Sequence, residues 1–169
     1  MSKDRNAALA KLFTRFPILG RLWSKFARVV TSKDVPWAPV RKPLGRTRVC
    51  LITTAGLHLI GDKPFNMADA DGDPTYRIIP AMARQQELTI THDYYDHRDA
   101  DHDFNIVFPL ERMRELTAAG YLGGLTSKHF SFMGHIDGGH VEALQHEVLP
   151  GLLQELTAEA PDFVFLTPA

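Results

Sequence analysis

Residues 48–54 read Arg-Val-Cys-Leu-Ile-Thr-Thr, and residues 162–167 read Asp-Phe-Val-Phe-Leu-Thr. Both stretches are short and apolar, which is typical of strands buried on both faces of a parallel sheet. Residues 88–90 (Leu-Thr-Ile) predict a third, shorter strand. Amphipathic patterns at about 106–120 and 141–159 predict helices between the strands. Strand, helix and strand in this order predict an α/β fold with a parallel sheet.

The expected architecture is a Rossmann- or flavodoxin-like layered domain with an N-terminal basic helical arm. We expect the sheet to be incomplete at the C-terminus, because strand 162–167 is followed by only two residues, whereas a covering helix normally follows. Turn residues predict loops at 57–86, with a brief extended stretch at 76–79, and at 127–139, and long loops usually carry function. Pro150 is expected to kink the second helix.

Composition favours an ordinary globular protein of one domain. The chain has 169 residues, 44% of them hydrophobic and 23% charged, which excludes fibrous and wholly disordered classes. Its apolar runs are too short to cross a bilayer. Cys50 is the only cysteine, so no internal disulfide can form, and the cytoplasm is the expected compartment.

The net charge of −1 conceals a strong asymmetry. Residues 1–48 carry twelve Lys/Arg against two Asp, a balance of +10, and the remaining residues have a balance of −11. Such a basic segment either binds an anionic partner or lies on the acidic body of its own protein.

We predict two parts of the chain, a basic arm with its connector at 1–46 and an α/β domain at 47–169. Apolar residues at helical spacing predict arm helices at about 5–16 and 18–31, divided by a proline, and a proline-rich connector follows at 32–46. The arm either docks on the body or a partner subunit, or rests on an anionic membrane surface.

The stretch Thr91–His97 reads Thr-His-Asp-Tyr-Tyr-Asp-His and is rich in potential metal ligands. It resembles the Thr-His-x-His-x-Asp-His signature of metallo-β-lactamase-type hydrolases, but Tyr94 stands where the second histidine belongs. We therefore predict no metal site, and a His/Asp metal-dependent hydrolase is kept as a third alternative for the function.

Other candidates follow the first strand. Thr53, Thr54 and His58 come at or after its carboxyl end, where α/β proteins place functional groups. Cys50 lies in mid-strand, where a thiol acts as a small apolar group with a raised pKa, so it is not expected to be a nucleophile. The sequence has no glycine-rich phosphate loop and no nucleic-acid-binding module, so no nucleic-acid partner is expected.

An ordered series of motifs over residues 35–169 resembles the glycine/sarcosine/betaine/D-proline reductase family, and within it the selenoprotein B-type subunit. The motifs are Val-Pro-Trp-Ala-Pro at 35–39, Lys-Pro-Leu at 42–44, Val-Cys-Leu-Ile-Thr-Thr-Ala-Gly-Leu-His at 49–58, Asp-Gly-Asp-Pro-Thr-Tyr-Arg-Ile-Ile at 71–79, His92 with Tyr95-Asp96, Asp-Ala-Asp-His-Asp-Phe-Asn at 99–105, Val-Phe-Pro at 107–109 with Arg112, and Phe-Ser-Phe-Met-Gly at 130–134.

The resemblance implies a reductase that cleaves a carbon–nitrogen bond of a small amino acid or related substrate. It implies a thiol electron donor such as a thioredoxin-like protein, a partner reductase subunit that can carry a pyruvoyl group, and a selenocysteine directly after strand 162–167. By the same resemblance, candidate catalytic residues are His58, His92 and Asp96, and candidate substrate-binding residues are Thr53, Thr54, Tyr95, Asp101 and Asn105.

The sequence ends at Ala169, one step before the expected selenocysteine. We expect an in-frame UGA codon there, read as stop, and we expect the 169-residue chain alone to be inactive and of lowered stability, because its last strand leaves an open sheet edge. The alternative from another class is a non-catalytic binding or assembly subunit that docks through its basic arm.

Overall fold

Strand β1, Arg48–Thr53, lies at the centre of the main sheet in the computed structural model, which describes residues 11–12, 14–24 and 38–169. Its middle residues are fully buried, as the apolar run predicts. The other strands are β2 (Leu57–Leu59), β3 (Tyr76–Pro80), β4 (Leu88–Ile90), β5 (Gly124–Leu125), β6 (Lys128–Phe132) and β7 (Phe163–Thr167), and the helices are α1 (Pro17–Ser24), α2 (Arg98–His102), α3 (Leu110–Ala118), α4 (His140–Ala143) and α5 (Leu149–Glu159).

Strand β1 has parallel neighbours on both sides. Strand β7 pairs with it over five positions that end at Thr53↔Thr167. On the other side β5 pairs with the start of β1 and β6 with its end, and β3 extends the sheet antiparallel to β6. Between β5 and β6 the Leu51 amide donates to Nδ1 of His129 at 3.1 Å. An imidazole therefore replaces one hydrogen bond of the ladder.

Helices cover the two faces of this sheet. On one face α3 and the turn Phe104–Ile106 pack against Leu51 and Ile79. On the other face α5 packs against β1 and β6 through Leu152, which lies in one apolar cluster with Phe130. This arrangement buries both faces of β1 and leaves the carboxyl ends of β1, β6 and β7 at one edge of the sheet.

Strands β1, β4 and β7 confirm the three predicted strands, but the sheet is mixed and only partly parallel. The expected loop at 127–139 is wrong at its start, where β6 is a buried strand. Within the expected loop at 57–86, β3 confirms the extended stretch at 76–79, whereas β2 is an additional strand that pairs antiparallel with β4 in a separate two-stranded sheet. The Rossmann- or flavodoxin-like layering and the boundary after residue 46 stay predictions.

Both predicted helices of the body are present. The first is α3, which begins directly after Pro109. The second runs from α4 through a π-helical turn at Leu144–Val148 into α5, where Pro150 lies in the first turn. The widened turn comes just before the residue that cannot donate a backbone hydrogen bond, which is the usual cause of such a distortion.

The arm is described only in part. Residues 11–12 and 14–15 are helical, and α1 follows, whereas the rest of the two predicted arm helices, including 25–31, lies outside the described residues. No helix in the described ranges is long and apolar enough to cross a membrane.

Candidate functional site

Two threonines lie at the carboxyl end of β1, Thr53 as its last residue and Thr54 directly after it. Thr53 is fully buried, and its hydroxyl donates to the Val107 carbonyl at 2.8 Å. The Thr54 hydroxyl, half-buried at the same edge, accepts from the Ala169 amide at 3.1 Å. Thr53 therefore stabilises the edge, and Thr54 lies where it borders solvent.

A cluster of five rings lies over this edge, and we call it the His/Tyr cluster. His92 and Tyr95 have ring centroids 4.8 Å apart, and Tyr94 stacks on His135 at 3.9 Å and 22°. His97 completes the cluster, 5.6 Å from the Tyr95 ring. The segment 91–97 and the loop after β6 thus bring together residues from two distant parts of the sequence.

His92 contacts the backbone of two residues. Its Nδ1 accepts from the Tyr94 amide at 3.0 Å, and the ring also bonds to the backbone of Met133. Burial, together with the nearby His135 and His97, lowers the pKa of His92 to about 4. A buried, neutral imidazole held in this way is suited to fixing the segment in place rather than to carrying a proton at neutral pH.

Tyr95 anchors the same segment to β1. Its hydroxyl donates to the Ala55 carbonyl at 3.1 Å. Burial, followed by the nearby Asp101, raises the pKa of Tyr95 above its usual range, so the phenol stays a hydrogen-bond donor at neutral pH.

Replacement of Tyr95 with Phe is expected to lower the free energy of unfolding by about 1 kcal/mol, because it leaves the Ala55 carbonyl without its partner. Urea denaturation measures this change. The matched control is Tyr121→Phe, since the Tyr121 side chain is 68% exposed. Equal stability of the two variants would show that the Tyr95 bond contributes nothing.

The remaining predicted site residues lie around the cluster rather than inside it. His58 on β2 bonds to the Leu59 carbonyl at 2.7 Å and to Thr91 Oγ1 at 2.8 Å. It therefore helps to hold the start of segment 91–97 against β2. Asp101 accepts from His97 Nδ1 at 2.8 Å. Asp101 therefore contacts the cluster through His97, whereas His58 contacts Thr91, the residue before His92.

Two predicted residues serve other contacts. Asp96 pairs with Arg98 at 2.6 Å, and hydrogen bonds from that guanidinium hold the pKa of Asp96 below its usual range. Asn105 Nδ2 donates to Asp103 Oδ1 at 2.8 Å, and its Oδ1 accepts from the Arg112 amide in α3. Asn105 thus shapes the turn before α3 and lies outside the cluster.

A groove of about 650 Å³ opens beside the cluster at the start of β3. Arg77 and Asp73 form its floor, 3.6 Å apart, and the guanidinium lies 4.3 Å over the Phe65 ring. Burial alone would raise the pKa of Asp73, but hydrogen bonds from Thr75 and Asn66 lower it. The floor is therefore a fixed, buried ion pair.

Two histidines tie the groove to the loop after β6. His140 Nε2 lies 3.0 Å from Asp69 Oδ2 across the groove, and His135 Nε2 bonds to the Ala70 carbonyl at 2.9 Å. Because His135 also stacks on Tyr94, it links the His/Tyr cluster to the loop that borders the groove. Sequence reasoning missed His135 and His140, whose partners are remote in sequence, although the 71–79 motif marked the groove's own loop.

Two further questions are whether Cys50 can react as a thiolate and whether side chains are grouped to bind a metal ion. Cys50 is fully buried, and burial raises the pKa of its thiol to about 11, as its place in the strand predicts. In the part of the chain that the structure describes, no three His, Cys, Asp or Glu side chains are grouped so that they could hold a metal ion. Neither thiolate nor metal chemistry is supported by these groups.

The comparisons with known proteins point in one direction. The family described as glycine/sarcosine/betaine reductase selenoprotein B matches residues 18–168. The chain is 37% identical over 131 residues to the D-proline reductase subunit gamma of Acetoanaerobium sticklandii, which covers 78% of this chain and 52% of that relative. The chain thus spans about half the length of this curated relative. No solved structure matches the chain.

Proposed function

The chain belongs to the glycine/sarcosine/betaine reductase selenoprotein B family, and from this we propose that it is a subunit of a thiol- or selenol-dependent reductase. The proposed reaction is cleavage of a carbon–nitrogen bond in a small amino acid or related substrate. The relative is named for D-proline and the family for glycine, sarcosine and betaine, so these four compounds are the first candidates.

The observation that carries the proposal is the position of the His/Tyr cluster and the neighbouring groove beside the carboxyl ends of β1 and β6. Ligands in α/β proteins bind outside the carboxyl ends of the strands. Charged side chains of both signs line the groove, among them Lys63 and Asp69, which pairs with His140. These features suit a small polar substrate better than an apolar one.

Within this proposal the predicted residues take different parts. His58 and His92 are proposed as positioning residues, since hydrogen bonds engage both ring nitrogens of His58 and burial keeps the His92 imidazole neutral while its Nδ1 accepts from Tyr94. Thr54 lies at the edge and is proposed to contact substrate, and Tyr95 holds the loop beneath it. The expected roles of Asp96, Asp101 and Asn105 in catalysis or substrate binding stay predictions, with Asp101 the nearest of them to the cluster.

The reaction needs a redox group that Cys50 is unsuited to provide. Cleavage of a carbon–nitrogen bond consumes two electrons and two protons, which a dithiol supplies as it closes to a disulfide. The end of β7 lies at the same edge, with the Ala169 amide on Thr54. A selenocysteine next to Ala169 would therefore fit beside the cluster. That residue, a pyruvoyl group on a partner subunit and a thioredoxin-like electron donor remain our proposals.

Reading the gene beyond the Ala169 codon and measuring selenium in the native protein test this proposal. We expect a UGA codon followed by coding sequence, and selenium bound to the protein. The full-length protein with its partner subunits is expected to release product from one of the four compounds when a dithiol is supplied. Absence of selenium together with absence of dithiol-dependent turnover would overturn the proposal.

A matched pair of variants locates the site. Thr54→Val is expected to lower turnover about tenfold or more, because it removes a hydroxyl at the proposed site. Thr117→Val removes a hydroxyl that bonds within α3 and is expected to leave turnover unchanged. Equal activity of the two variants would show that the substrate binds elsewhere.

A non-catalytic assembly subunit is the second candidate, and the burial of Cys50 is the observation that favours it. In that case the native complex would assemble and turn over substrate, and Thr54→Val would not change its turnover. The third alternative, a metal-dependent hydrolase, has no supporting group of ligands among the described residues.

A further inference from the structure

Exposed apolar side chains are concentrated on the described part of the arm. Five large apolar residues there are 41–73% exposed, and every side chain described between 11 and 22 is exposed. The five residues are Leu12, Phe16, Ile18, Leu19 and Leu22. These five residues are therefore not buried against the body, and a partner subunit or a membrane surface is left to cover them.

Helix α1 is amphipathic. Ile18 and Leu22 are four residues apart and share a face with Leu19, whereas Arg21 lies at the border of that face. A helix with an apolar face, basic borders and no acidic residue in its span is the kind that lies in a membrane interface, with its apolar face among the acyl chains.

The charge around α1 is strongly positive. Residues 1–48 have a balance of +10, and Lys11 and Arg15 border a hollow of about 420 Å³ together with Arg98 of the body. Arg98 also pairs with Asp96. Because the rest of the chain has a balance of −11, an anionic surface would attract the arm and repel the body, which leaves the arm as the contact.

From these observations we propose that the arm is a peripheral docking element for an anionic lipid bilayer. Ile18, Leu19 and Leu22 enter the interface, and Lys11 and Arg15 contact the lipid phosphates. This inference is independent of the reductase proposal, since it uses no residue of the His/Tyr cluster or the groove.

Sedimentation of the full chain with lipid vesicles tests the proposal. We expect binding to vesicles that contain about 30% phosphatidylglycerol in phosphatidylcholine, and about tenfold weaker binding to phosphatidylcholine alone. Ile18→Gln with Leu22→Gln is expected to weaken binding about tenfold or more, and Lys11→Gln with Arg15→Gln about tenfold. Salt at about 0.5 M is expected to release the protein.

The matched control is Met82→Gln with Ile106→Gln, which replaces two residues of the body that are 82% and 60% exposed. It is expected to bind vesicles like the wild type, and circular dichroism checks that all variants fold. Binding that ignores phosphatidylglycerol, absence of binding, or equal binding by arm and control variants would overturn the proposal. Retention on polyglutamate resin without vesicle binding would assign the arm to an acidic polypeptide instead.

Discussion

Lowering the pH from about 8 to about 5 is expected to reduce the free energy of unfolding by about 4 kcal/mol, or about 2 kcal/mol for each of two buried histidines. These are His92 in the cluster and His129 in β6, whose pKa values are lowered to about 4. In the unfolded chain both imidazoles take up a proton near pH 6.5. Between pH 6.5 and about pH 4 these imidazoles are protonated mainly in the unfolded chain, so the free energy of unfolding decreases as the pH is lowered.

The surroundings of His129 explain the size of the effect. Its ring is fully buried, its Nδ1 accepts from the Leu51 amide, and its Nε2 has no partner among the described residues. Burial lowers its pKa first and Arg114 adds to this, while Glu159 opposes it. A proton on Nδ1 would break the bond to β1, so protonation and loss of the sheet are coupled.

Urea denaturation at several pH values measures the change. His129→Asn keeps an acceptor near the position of Nδ1 but does not titrate, so it is expected to reduce the loss between pH 8 and pH 5 by about 2 kcal/mol. His146→Asn is the matched control, because the His146 side chain is exposed. A pH dependence that is the same in all three proteins would contradict a role for His129.

The parts of the fold that sequence reasoning captured are those with local signals. Strands β1 and β7 are apolar runs, and α3 and α5 have helical spacing, so neighbouring residues specify each of them. Strand β6 was missed because Lys128, His129 and Ser131 make it look like a loop. Its polar residues are buried through contacts with β1, which lies about 80 residues away and leaves no local signature.

The residues of the candidate site likewise fall into those that a local sequence signal indicates and those that it does not. His92 and Tyr95 could be selected because segment 91–97 concentrates reactive side chains directly after a predicted strand. His135 and His140 matter only through contacts with Tyr94 and Asp69, which the tertiary fold creates. The same limit applies to His58, whose ring nitrogens are engaged by Leu59 and Thr91, and that contact favours a supporting role over a catalytic one.

Replacement of Gly56 with Ala is expected to lower the free energy of unfolding by about 3 kcal/mol or more. Gly56 has φ +70°, and an added Cβ would lie 2.5 Å from the Thr91 carbonyl oxygen and 3.0 Å from His92 Cβ. The first of these is a backbone atom fixed by its own strand end, so the clash cannot be relieved by a rotamer change. The left-handed conformation adds a separate cost for any side chain.

Gly61→Ala is the matched control, because an added Cβ there meets nothing within 4 Å and its φ is not positive. It is expected to change the free energy of unfolding by less than about 1 kcal/mol. The Gly56 amide bonds to the Phe132 carbonyl and its own carbonyl accepts from Thr91, so this residue is the joint between the main sheet and segment 91–97. Gly56→Ala should therefore disturb the histidine resonances of the cluster as well as stability, whereas equal stability of the two variants would mean that segment 91–97 does not approach β1 as closely as the geometry requires.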